Sequence, residues 1–121
     1  MALIMTGIGD RGVLQGERIG FSVTANCDLK NFLIFRTTFS QDGFYNRSEA
    51  VFWLAPQAAK KGDRVVIYTK AGSDAFRTNA DGSTTFFRYW GLSTPIFTSG
   101  DHGVVLAKVS DWSLSRNLSQ Q

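Results

Sequence analysis

Residues 18–25 alternate strictly: Ile19, Phe21, Val23 and Ala25 fall on one side, Arg18, Gly20, Ser22 and Thr24 on the other. A period of two marks a strand with one face in a core and one toward water. It recurs along the chain, while no apolar stripe of helical period does. Residues 32–39 set Leu33, Phe35 and Phe39 against Phe32, Ile34 and Arg36, and Asp42-Gly43 turns the chain into a hairpin with 47–54. In that return segment Val51 and Trp53 alternate with Phe52 and Leu54, so both faces are apolar, as in a strand running through the middle of a sandwich. Gly62 opens the β-branched run 63–70, closed by Ala71-Gly72. Residues 84–90 form a further strand, with Phe86, Arg88 and Trp90 opposed to Thr85, Phe87 and Tyr89, and 103–109 a last one. Between strands, 55–61 is too short for a packed helix and reads as a crossing between sheets. Pro95 makes 94–98 a short edge piece, because proline donates nothing to a central ladder.

Short strands separated by turn signals predict an all-β fold, an immunoglobulin-like β-sandwich of seven to nine antiparallel-rich strands. At 121 residues the chain suits one domain, assigned to 1–116, with 117–121 as a frayed tail. Charge adds little direction: the net +3 comes from basic residues interleaved with acids, as in Asp10-Arg11, Glu17-Arg18 and Asp63-Arg64. The single cysteine, Cys27, forms no internal disulfide, which suits a reducing compartment. Residues 1–5 are apolar but lack a basic lead and are interrupted at once by Thr6, Gly7 and Gly9, so no secretory leader is read there. No stretch approaches the roughly 20 apolar residues that span a bilayer. The expectation is a cytoplasmic protein without membrane contact.

Three segments carry a resemblance: Gly62-Asp63-x-Val65-Val66-x-Tyr68-Thr69-x-x-Gly72, then Tyr89-Trp90-Gly91, then Gly100-Asp101-x-Gly103-Val104-Val105-Leu106, with 29–35 a looser upstream echo. In these the chain resembles the lamin tail domain family, immunoglobulin-like sandwiches found at the end of nuclear lamins and appended to bacterial proteins. The resemblance implies an interaction domain with no catalytic residues and no cofactor.

Motifs that suggest chemistry have simpler readings. Gly7-Ile8-Gly9-Asp10-Arg11-Gly12 spells a dinucleotide fingerprint, but no helix follows to present amide groups to a pyrophosphate, so a glycine turn between strands is the reading. Residues 77–82 imitate the front of a calcium loop, yet Arg77 and Arg88 stand where two carboxylates belong. One His and one Cys cannot supply a zinc site. Asp101-His102 are sequence neighbours and point apart on a strand, so a hydrolase built on them ranks last among the alternatives. The sequons at Asn46 and Asn117 carry no weight without secretion.

Binding is therefore the expected function. The polar segment 71–83 is long for a compact domain, and long loops on rigid sandwiches carry function. Contact with a protein or polyanionic partner is expected there and at adjacent strand ends, through Phe76, Arg77, Asn79 and Arg88 with Lys60 and Lys61. Cations interleaved with Tyr68, Phe87, Tyr89 and Trp90 raise weak nucleic-acid binding as the alternative. Pairing of edge strands, at 94–98 or 2–6, offers a route to a homo-oligomer.

Overall fold

A computed structural model describes residues 1–45 and 50–116, and the described chain is a β-sandwich. Its strands are β1 (Leu3–Gly9), β2 (Arg18–Val23), β3 (Cys27–Asp28), β4 (Phe32–Ser40), β5 (Gly43–Phe44), β6 (Val51–Trp53), β7 (Ala58–Ala59), β8 (Arg64–Lys70), β9 (Ala75–Thr78), β10 (Thr84–Leu92) and β11 (His102–Lys108). Three of them, β3, β5 and β7, are two-residue pieces below the resolution of any periodicity. One layer is a five-stranded sheet in the order β1-β2-β8-β10-β9; the other is β11-β4-β5, with β6 also on β4, and β3 pairs β7 separately. The expected tail 117–121, both sequons and part of the 47–54 strand lie outside the described residues.

The alternating residues read from the sequence supply the core. Ile19, Phe21 and Val23 of β2, Val65 and Ile67 of β8, and Phe86 of β10 meet Phe32 and Ile34 of β4 and Val104 of β11 in one continuous cluster. Fully burying a side chain such as Phe21 contributes about 2 kcal/mol. Across the layers, Phe52 and Trp90 pack ring against ring at 5.7 Å. β6 departs from the expectation of a middle strand. It is a three-residue piece beside β4, and Val51 and Trp53 face outward, 55% and 42% exposed.

The segment 71–83 is not a loop. It contains β9, which runs antiparallel to β10, while β10 runs parallel to β8. Parallel neighbours require the chain to travel back along the sheet before returning. That return path is β9, so topology accounts for the segment's length. Gly91 sits where a bulge shifts the register of β10 on β8, at φ +84, a conformation that favours glycine.

Residues 94–98 are likewise not an edge strand. Phe97 is a core residue, 1% exposed, and its backbone is held by a buried carboxylate. Glu17 accepts from the Thr69 hydroxyl at 2.7 Å, Gly12 N–H at 2.8 Å, Ile96 N–H at 2.9 Å and Phe97 N–H at 3.1 Å. Burial pushes this carboxyl's pKa up, but the hydrogen bonds from Ile96, Thr69, Gly12 and Phe97 together outweigh it and hold the group below its ordinary value. Arg11 adds a second tie, donating to the Ser99 carbonyl at 2.9 Å and the His102 carbonyl at 2.6 Å, with its guanidinium over the Phe97 ring.

Asp63, of the Gly62-Asp63 pair, is a smaller anchor. One carboxylate oxygen accepts from Lys60 N–H and the other from Thr84 N–H, both at 2.9 Å, fixing the turn before β8 to the start of β10. Asp63→Ala strands both donors and lowers the free energy of unfolding by about 2 kcal/mol in urea denaturation. Asp63→Asn keeps one acceptor oxygen and loses less.

Candidate binding face

Cross-strand register decides which side chains share a surface, because residues paired across strands point the same way. On the outer side of the five-stranded sheet, one row is Arg18–Tyr68–Tyr89 and the next is Gly20–Val66–Phe87–Ala75. A third is Ser22–Arg64–Thr85–Arg77. Tyr68 and Tyr89 stack at 5.4 Å between centroids and 14° between planes, and Phe87 lies 6.5 Å from Tyr68. The rings thus stand side by side on this face, half-buried. Lys70 Nζ lies 5.5 Å from the Tyr68 ring centroid, and the Arg77 guanidinium 5.5 Å from that of Phe87. Each contact contributes about 0.5–1 kcal/mol at an exposed site and holds the cation over the ring without removing its charge.

Beside the rings the sheet surface dips. Gly20 lies across from Gly7 on β1, and a Cβ at Gly20 would press on the Thr6 hydroxyl. A cleft of about 340 Å³ lined by Gly20, Ser22, Arg64 and Val66 adjoins one of about 270 Å³ lined by Gly7, Gly9, Arg18 and Val66. The glycine run 7–12 therefore forms the end of β1 and a turn, as its lack of a following helix implies. Acids at this face are Asp10, paired with Arg18 at 3.0 Å, and Asp81. The Asp81 carboxyl is held below its usual range first by the Ser83 hydroxyl and backbone N–H, with nearby Arg64 adding to the effect.

Of the residues expected to make contact, Arg77 joins this face, and Asn79 lies at its margin against Thr85. Phe76 pairs with Phe86, so it points to the opposite side of the same edge strand, where the other sheet does not reach and it is 70% exposed. Asn79 spends its amide within the β9–β10 turn, donating to Ser83 Oγ at 3.0 Å and Thr85 Oγ1 at 2.9 Å. Lys60 and Lys61 are exposed in the turn before β8, their backbone N–H groups bound to Asp63 and Asn26. Arg88 corrects the expectation outright. It is 8% exposed, lies over Phe86, and donates to the Phe87 carbonyl at 2.9 Å, Gln57 Oε1 at 3.2 Å and the Ala75 carbonyl at 3.3 Å. Its even-numbered place on β10 puts it inside with Phe86, as an internal brace for the edge strand. The sequence reading omitted Arg18, Arg64, Lys70, Tyr68, Phe87 and Tyr89 from the contact set, although the last five stood in the cation-aromatic run.

His102, at the start of β11, is half-buried. Its Nδ1 accepts from Ser99 N–H at 3.2 Å, and its Nε2 faces Arg36 Nη1 at 3.0 Å. Both ring nitrogens are directed at structural neighbours, with Asp101 exposed in the preceding turn. Burial and, secondarily, the Asp28 charge push the Cys27 thiol up, the opposite of nucleophile activation. Among the described residues no helix is long and apolar enough to cross a membrane.

The chain matches no protein-family model, no curated protein and no solved structure.

Proposed function

We propose that this chain is a non-enzymatic, lamin-tail-like binding domain that holds a polyanionic partner on the outer face of its five-stranded sheet. The observation that carries the reading is the gathering of Arg64, Lys70 and Arg77 around Tyr68, Phe87 and Tyr89 on one open surface. Cations supply long-range attraction and direct contacts to phosphate, sulfate or carboxylate groups. Tyrosine hydroxyls at the ring edges supply short donors, and the glycine-floored dip lets an extended chain approach the sheet. The strands hold these groups rigidly, so little conformational entropy is lost on binding. The unpaired Cys27 supports a reducing, cytoplasmic setting.

Titration with heparin and with a single-stranded oligonucleotide across a salt series tests this. Three charge contacts predict that affinity falls about twentyfold between 50 and 200 mM salt. A flat response to salt, or no binding to either polyanion at low salt, refutes the assignment. Retention of the oligonucleotide alone narrows the partner to nucleic acid.

A further inference from the structure

The opposite outer surface of the sandwich has the contrary character. On the four-stranded sheet, register aligns Trp53–Leu33–Ala107 in one row and Val51–Phe35–Val105 in the next. These point away from the core, since the intervening Ile34 is fully buried and its partners Phe52 and Leu106 pack against the core cluster. Trp112 extends the first row, meeting Trp53 edge-on at 5.0 Å, and Phe39 with Phe44 extends the surface at the other end, 6.1 Å apart. Neither row contains a charged residue.

Much of this surface is open: Phe39 is 43% exposed, Phe44 49%, Val51 55%, Trp53 42% and Trp112 44%. With the half-buried residues between them, the apolar area reaches on the order of 600 Å², taking about 200 Å² for a whole aromatic side chain. An apolar surface of that size stands at the top of the range that monomers expose, where such patches often serve contacts.

We propose that the chain forms a reversible two-fold dimer by apposing the outer faces of its four-stranded sheets. About 600 Å² from each copy totals about 1,200 Å², the lower end of stable specific interfaces. A two-fold contact presses one patch against itself, which suits rows that carry no charge among the described residues and would set like charges together on a cationic face. The five-stranded sheet is thereby left outward on both sides of the dimer, giving two polyanion-facing surfaces. The dimer rests on the apolar face alone and does not depend on what the cationic face binds.

Sedimentation velocity on the full chain over the micromolar to submillimolar range tests the dimer without any polyanion present. The expected result is a monomer–dimer equilibrium whose dissociation constant rises at least tenfold in Val51→Lys and in Phe44→Lys, two separate exposed positions checked for folding by circular dichroism. Ile4→Lys, on the edge strand of the other sheet, leaves it unchanged. The proposal is overturned by a monomer at every concentration. It is equally overturned by a dimer broken by Ile4→Lys and not by the other two, or by a monomer that binds phosphatidylcholine vesicles through Val51.

Discussion

Glu17→Gln unfolds about 12 °C below the wild-type protein at neutral pH, although the exchange leaves the side-chain volume almost unchanged. The wild-type carboxylate receives four donors, two on each oxygen, in a site with no access to water. An amide replaces one oxygen with an NH₂ group that donates. Turned toward Thr69, whose hydroxyl can accept from it, the NH₂ still faces the Ile96 N–H donor against donor, and the remaining oxygen loses the charge that strengthened its two bonds. Leaving one buried donor unmet costs about 1–3 kcal/mol, and with the lost charge-assisted strength of the other bonds the change comes to about 3 kcal/mol. For a domain of this size each kcal/mol moves the midpoint by about 4 °C. The acid side follows with a definite sign. Because the folded-state pKa of Glu17 lies below its unfolded value, the stabilisation is fully present above the ordinary glutamate pKa of about 4.3 and is lost as pH falls through the folded-state value. Wild-type stability should therefore fall more steeply than that of Glu17→Gln as acid is added below that pH. Parallel curves from calorimetry at stepped pH would show that the carboxylate is not the anchor.

The same residue shows where sequence reading stops. Alternation located β2, β8, β10 and β11 because one face of each is buried and the other is wet, a contrast that a period of two records directly. Gly62 was legible as the opening of β8, but the carboxylate beside it was not, since Asp63 serves donors three and twenty-one residues away that nothing in its own segment marks. Glu17 serves partners as far as Phe97, and nothing local distinguishes it from a solvated acid. Its hold on Ile96 and Phe97 is what turns an apparent edge piece into part of the core. Segment 71–83 misled for another reason: its length answers to the parallel pairing of β8 and β10, a relation between strands that alternation within each does not encode. The cationic, ring-lined face was half legible. The interleaving of cations with rings was visible along the chain, but Arg88 and Arg77 were indistinguishable until β9 paired with β10 and set one inward and the other outward. Val51 and Trp53, with Phe52 and Leu54 opposite, point in the sequence to a central strand, because a buried second face and an unpartnered one have the same composition.

Removing Arg64, Lys70 and Arg77 together, as the triple alanine variant, weakens polyanion binding about fifty-fold at roughly 150 mM salt and flattens the logarithmic salt slope by about two. Each cation that neutralises an anionic group of a single-stranded polymer releases about 0.7 counterion, so affinity and salt dependence must decline together. That coupling separates a true contact face from general attraction, since distant positive charge speeds association with a smaller share in the slope. Folding should tolerate the change: Arg64 and Arg77 are exposed, Lys70 is half-buried, and the ring contacts of Lys70 and Arg77 are each worth under about 1 kcal/mol. Lys60→Ala with Lys61→Ala is the matched comparison, because it removes two charges from a turn outside the three aligned rows. Its affinity should remain within about threefold of the wild type, a loss that distant charge alone explains. If the two variants lose affinity equally per charge removed, the partner senses net charge only, and the aligned rings and cations form no specific surface.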